Sequence, residues 1–353
     1  MSVSATRGAG TKRVPPTFAW KATVAITGFY AILAFALIPV AGVSGPEVSG
    51  FVALFVAVIL ITELSTSFLL LTLFRQACTW SLLLLWVAYL YSGLMSFSQL
   101  LTLPGAVLID RSLVAVSPQT TAWAFITWVN GFALLAFLSV ILEAWFKDQR
   151  VVVQNVRRAT VIGALAVTAV VVATNIATIS ASDQLPSLVD DAHFLPQSLM
   201  ARAPAIFFSY AGIAIILVVI RDRNSLYLWL SLVLIALVFY NVLAAAGAGR
   251  FTIGWLFGRL SWIISACLLF VYFLMLFSRQ QILLARTSDF LEQQNDNQSV
   301  EARLDAAIER LIARENIARY RVMLQSPRDE SHRQVLLTLL AGEEAKLQSA
   351  RRS

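Results

Sequence analysis

The sequence predicts an all-α polytopic membrane protein, an eight-helix transmembrane bundle followed by a cytoplasmic helical hairpin. Three observations predict it. The 353 residues are 58% hydrophobic and 13% charged, with a mean hydropathy of +0.75. A soluble domain of that length needs far more polar surface, so most of the chain must meet lipid. Apolar spans then recur at about 20–41, 51–74, 81–101, 122–146, 159–180, 205–220, 226–247 and 255–277. About 20 apolar residues cross a bilayer core as a helix, because unpaired backbone groups in hydrocarbon are too costly. The third observation is charge placement. With the N-terminus inside, the inner flanks carry 13 Lys and Arg, whereas the outer loops carry only Arg111, Arg202 and Arg250. That bias puts both termini in the cytoplasm.

Residues 1–19 hold Arg7, Lys12, Arg13 and Pro15-Pro16 and read as a disordered cytoplasmic leader. No cleavable signal is expected, because the first apolar span is long and lacks a small-residue cleavage site. The sixth span, at 16 residues, is the shortest. Two outer loops, 102–121 and 181–204, are long for a compact molecule and serve either function or connection. The first holds Pro104-Gly105, Asp110-Arg111 and Ser117-Pro118, the second Asp183, Asp190, Asp191, His193 and Pro196.

The eighth span follows a glycine-spaced stretch, Gly249 to Arg259, and contains 18 uncharged residues from Leu260 to Phe277. The membrane module thus covers 20–285. Ile282, Leu283, Phe290 and Leu291 keep helical spacing through Glu292, after which Asn295-Asp296-Asn297-Gln298 should break the helix and make 286–298 a linker. A new helix to Gln325 carries Val300, Leu304, Ile308, Leu311, Ala318 and Val322 near the heptad spacing of a coiled coil. Ser326-Pro327-Arg328-Asp329 reads as the start of a last helix, running to about Ala350. Two short amphipathic helices cannot each bury a face alone. Residues 299–353 are therefore expected to form a hairpin that engages a second copy or another protein through Leu304, Ile308, Leu311, Leu336 and Leu340.

Polar residues inside the spans are costly and usually face the bundle interior. Counted at ~1.5 Å per residue, Asn130 lies ~12 Å below the outer end of its span, Asn241 ~9 Å, Asn175 ~8 Å and Arg259 ~6 Å, with Gln99 near the edge. Two readings are open. In one, Gln99, Asn130, Asn241 and Arg259 line a ligand pocket walled by Trp123, Trp128, Trp255 and Trp262. In the other, the amides join helices, Arg259 snorkels outward and the tryptophans form an interfacial belt. Glu63, near the middle of the second span, could pair with Arg259 or hold a proton, although their depths differ by about 10 Å.

Much chemistry is missing. His193 and His332 are the only histidines and fall on opposite sides of the membrane, while Cys78 and Cys267 stand alone. No nucleophilic triad, metal-ligand cluster, phosphate loop or dinucleotide fingerprint appears, so neither catalysis nor a metal or cofactor is expected. The net charge of +7 belongs to the membrane half, since residues 278–353 carry 12 Lys and Arg against 11 Asp and Glu. That distribution fits membrane flanks rather than a nucleic-acid surface. A small secondary transporter or channel using Glu63 and Arg259 is the rival class, but no internal repeat or broken span pair supports it.

Three stretches together carry a family resemblance. They are Leu101-Thr102-Leu103-Pro104-Gly105, the run Pro118-Gln119-Thr120-Thr121-Ala122-Trp123 continuing to Trp128 and Gly131-Phe132, and the stretch from Gly249 to Arg259. The chain resembles, over roughly residues 20–285, the fourth type of bacterial membrane-associated sensor domain (MASE). The resemblance implies an integral-membrane input module of the kind that usually precedes a diguanylate cyclase or a histidine kinase. The family pattern has histidines where Gln99 and Val129 stand, and an acid is usual at Asn241; any metal, haem or proton chemistry of those histidines is not expected here. Neither enzyme's signature occurs in the last 75 or so residues. A sensor whose output is made by a separate kinase or cyclase is the resulting expectation.

Overall fold

The computed structural model describes residues 16–48, 50–103, 112–181, 184–190, 193–221, 224–325 and 329–352. Residues 1–15, Pro104, Gly105, Asp110, Arg111, Asp183, Asp191, Arg223 and the run Ser326-Pro327-Arg328 lie outside the described residues, as does the side chain of His332. Among the described residues, eight helices are long and apolar enough to cross a membrane. The all-α class is therefore as the apolar periodicity predicts.

The helices are α1 (Pro16–Leu37), α2 (Phe51–Ala77), α3 (Trp80–Thr102), α4 (Pro118–Phe146), α5 (Val156–Ser180), α6 (Pro196–Ile215), α7 (Ser225–Gly247), α8 (Ile253–Met323) and α9 (Glu330–Arg352). A two-stranded antiparallel ribbon, β1 (Val189–Asp190) and β2 (His193–Phe194), precedes α6. We call the end of the bundle where α1 finishes the distal end. Local signals explain most boundaries. Ser117 caps α4 by accepting a hydrogen bond from the Thr120 amide at 3.1 Å, with Pro118 in the first helical position. Asn224 caps α7 by accepting from the Leu226 amide at 3.1 Å. Gly50 precedes α2 with φ 77°, a conformation that suits glycine.

Three boundaries differ from expectation. Helix α1 begins at Pro16, inside the expected leader. Helix α6 begins at Pro196 rather than near 205, and with the π turn Ile216–Ile220 the sixth span reaches 25 residues. Pro196 occupies the first helical position, where a missing amide hydrogen does no harm. Arg202, expected in an outer loop, is consequently a helical residue and only 4% exposed. Helix α8 runs unbroken for 71 residues, so the break expected at 295–298 is absent. Asn, Asp and Gln lower helix propensity by a fraction of a kcal/mol each, and without Gly or Pro they do not stop propagation.

Residues 1–277 form one compact unit and 278–353 another. In the first, α3 packs between α2 and α4, α6 lies against α4, α1 and α6 lie against α7, and α5 lies against α3. Of the most apolar window, 78% of α7 is buried, against 11% for α1 and 17% for α5. Helix α7 is thus interior, whereas α1 and α5 keep most of their apolar surface for lipid. The start of α8 ties the centre together. Trp262 meets the rings of Phe55, Trp128 and Tyr240 with centroids 5.6, 5.4 and 5.5 Å away. Tyr30 donates to the Ser261 carbonyl at 3.1 Å and shares a hydrogen bond with the Ser265 hydroxyl at 2.8 Å. A side chain at Gly254 would strike the Leu243 carbonyl, and one at Gly258 would sit 3.2 Å from the Tyr240 Cα. The two glycines, four apart, let α8 touch the α7 backbone.

In the second unit, Arg321 of α8 pairs with Glu344 of α9 at 2.8 Å. Ala313 and Leu336 are buried there, while Leu304, Ile308 and Leu311 are exposed and Leu340 is half-buried.

Candidate functional site

The distal end is built from strained and cross-linked backbone. Ala248 and Phe251 have φ of 51° and 58°, the left-handed region that an L side chain enters at a cost of about 1–2 kcal/mol. Neighbouring chain holds them there. The Phe251 carbonyl accepts from the Gly45 amide at 2.7 Å, and the Ala248 carbonyl from the Phe194 amide at 2.9 Å. On either side, the Ile253 amide donates to Val43 at 2.9 Å and the Gly254 amide to Ala41 at 3.0 Å. Residues 41–45, 194 and 248–254 therefore form one framework at the mouth of the bundle.

The segment before β1 is held from α4. The Gln119 side-chain oxygen accepts from the Leu188 amide at 2.8 Å and the Val189 amide at 3.4 Å, while its nitrogen donates to the Val189 carbonyl. Trp123 Nε1 donates to the Pro186 carbonyl at 3.0 Å. Two residues of the Gln-Thr-Thr-Ala-Trp stretch are thus a clamp on residues 186–189.

This framework encloses a cavity of about 230 Å³. Its walls come from the start of α2 (Val52, Val56), Gln99 on α3, Phe125 on α4, Val189 and Phe194, Arg202 on α6, Tyr240 on α7, and Arg250, Trp255 and Arg259. Arg202 and Arg259 are 4% and 7% exposed, and their Nη1 atoms donate to the same Tyr240 hydroxyl at 3.3 and 3.4 Å. The two nitrogens therefore lie within about 7 Å of each other. At that separation two unit charges repel by about 2 kcal/mol at an effective dielectric of 20. Among the described residues neither guanidinium meets a carboxylate. Arg259 instead lies among rings, 4.0 Å from the Trp255 centroid and 5.1 Å from those of Phe55 and Phe125, and its buried Nε has no hydrogen-bond partner. Arg202 lies 4.9 Å from the Phe194 centroid. Ring faces attract cations, but they cannot accept the in-plane hydrogen bonds of a guanidinium.

Of the residues read from the sequence as ligand contacts, Gln99, Trp255 and Arg259 meet at this cavity. The other amides and tryptophans of that reading do not line it. Asn130 inserts into α6, donating to the Ala201 carbonyl at 2.9 Å and accepting from the Ala205 amide at 3.0 Å, beside Pro204. Its amide replaces backbone pairing that the proline disturbs. Asn241 donates to its own helix at Leu237, 2.8 Å away. Asn175 donates to Val171 at 2.8 Å and Ser98 at 3.3 Å. Trp128 is fully buried and donates to the Ser92 hydroxyl at 2.8 Å. Trp262 packs among rings below the cavity, and Trp123 clamps the 186–189 segment. Glu63 and Arg259 form no ion pair. Glu63 is 1% exposed, lies beside Ser92 and keeps an unpartnered Oε2. It lies eight residues, or ~12 Å of helix, below Phe55.

The sequence reading missed Arg202, Tyr240, Phe125 and Phe194. Arg202 was open to discovery, since Pro196 marks a helix start ahead of it. Tyr240 and Phe125 look like any aromatic residue in an apolar span. Among the described residues no cluster of three or more metal-ligating acids, histidines or cysteines occurs.

The family described as membrane-associated sensor, integral membrane domain (MASE4) matches residues 46–280. No curated protein and no solved structure matches the chain. The matched segment contains six of the eight spans whole, most of the eighth and every wall of the distal cavity. The chain belongs to the MASE4 family of membrane-associated sensor domains.

Proposed function

We propose that this membrane sensor domain takes a small ligand into its distal cavity and passes the signal, without catalysis of its own, to a partner through residues 299–352. One observation carries the reading. Trp255 and Arg259, which wall the cavity, stand on the first two turns of the helix that continues to Met323. A ligand that favours one setting of α8 over another shifts the population of the two by its difference in affinity. The cavity belongs to the periplasmic side of a bacterial inner membrane in this reading, with both termini cytoplasmic, as the basic flanks predict. The exposed Leu304, Ile308 and Leu311 form an apolar face for a partner kinase or diguanylate cyclase, the output the family resemblance implies. Leu336 is buried and Leu340 half-buried, so these two are less open to a partner than the other three.

The test is affinity purification from native membranes after cross-linking. Capture of a kinase or cyclase, lost when Leu304, Ile308 and Leu311 are changed together to Glu, is the expected result. A homodimer alone would move the output to a second copy. Solute flux in sealed proteoliposomes, or nucleotide turnover by the purified chain, would overturn the proposal.

A further inference from the structure

We infer that the distal cavity is an anion site, in which Arg202 and Arg259, with Arg250 at the rim, hold the carboxylate or phosphate-type head of a small, largely apolar molecule. This rests on the reading of the cavity as the ligand site and names what that ligand is. Two buried guanidinium groups share one tyrosine hydroxyl, and the unpartnered Nε of Arg259 leaves donor capacity unused. An arginine offers five donors in a rigid fork suited to a planar or tetrahedral oxyanion. Like charges held this close without an acid among the described residues are what an absent anion would neutralise. The structure tolerates them because rings surround both groups.

The remaining walls define the rest of the molecule. Val52, Val56, Phe125, Val189, Phe194 and Trp255 are apolar, while Gln99, Thr102, Ser112, Thr121 and Ser198 add polar points between them. About 230 Å³ exceeds the ~150 Å³ in which an apolar cavity binds benzene. That admits a compact body such as one aromatic ring, and it excludes two acyl chains. A phospholipid could present only its head to the arginines, leaving its chains outside.

The test uses the full chain in phosphatidylcholine nanodiscs, with benzoate, its neutral isostere benzamide and inorganic phosphate as probes, read by thermal unfolding and calorimetry. Benzoate is expected to raise the unfolding temperature and bind, and benzamide to do neither. Arg202→Gln and Arg259→Gln should each weaken benzoate by about tenfold or more, the loss expected for a charge-assisted hydrogen bond. Removing one of two repelling charges should leave the ligand-free unfolding temperature unchanged or raised, whereas a merely structural arginine would lower it. Discs containing phosphatidylglycerol distinguish the source: if they stabilise wild type and suppress benzoate binding, but lose both effects in Arg202→Gln, the head belongs to a lipid. Equal response to benzoate and benzamide, or probe effects unchanged in both variants, would overturn the inference. Spin labels on α8 and α9 separate it from the sensing proposal: benzoate binding with no change at the labels sinks signalling and leaves the anion site standing.

Discussion

Glu63 and Arg259 look alike in the sequence, each a lone charge inside an apolar span, yet the fold treats them differently. Arg259 faces a cavity, shares Tyr240 with a second arginine and keeps an unused donor among aromatic rings. Glu63 is packed beside Ser92 in the middle of the bundle, lines no part of that cavity and is reached by no cation among the described residues. The same desolvation cost therefore accompanies two architectures. A buried charge becomes a candidate binding site when open volume and further donors face it; without them it is a feature of the packing.

Substitutions can break or sharpen that contrast. The largest effect is expected at Trp128, which packs beneath the cavity without lining it. Trp128→Ala should cost about 3–5 kcal/mol of stability through the space it leaves, measured by unfolding in mixed micelles. A loss below ~1 kcal/mol would mean that the aromatic floor is loosely packed. Asn130→Ala should cost about 1–3 kcal/mol, because the Ala201 carbonyl and Ala205 amide lose partners beside Pro204. Its benzoate affinity should stay within twofold of wild type, or about 0.4 kcal/mol. A tenfold loss in the folded variant would return Asn130 to the site and erase the distinction between glue and ligand contact.

Smaller changes probe the rim and the acid. Trp123→Phe removes the bond to Pro186 and should cost about 1 kcal/mol. Amide exchange should quicken at residues 187–190, and unchanged exchange would show that Gln119 alone clamps the segment. Glu63→Gln keeps shape while removing a possible charge, so stability should shift by less than ~1 kcal/mol. Cavity binding should not move. Ion or solute flux that appears in wild-type proteoliposomes and vanishes in Glu63→Gln would make the acid the functional group and reverse the comparison.

Much of the fold was legible because hydrocarbon imposes a simple rule on the backbone. Eight apolar runs become eight spans, and their ends follow Ser117, Asn224 and the prolines closely. The sixth span was misjudged because Arg202 and Pro204 look like loop residues in one dimension. Asn130, 71 residues before Ala201 and 75 before Ala205, repairs the helix at that point, and sequence spacing cannot reveal a partner on another helix. The break expected at Asn295 fails for a local reason, since polar residues without Gly or Pro weaken a helix only slightly.

The candidate site divides along the same line. Gln99, Trp255 and Arg259 could be picked out as polar or aromatic residues at one depth, and they do meet. Asn130, Asn241, Trp123 and Trp128 lie at similar depths but point elsewhere, because depth along a helix says nothing about rotation around it. By itself the sequence determined the all-α class, the number of spans and the family, all of which follow from composition, period and short motifs. Only the tertiary structure decided which charges converge. Helix rotation, the glycine contacts between α7 and α8, and the clamped ribbon before α6 set the direction of each side chain, and those are relations between distant segments.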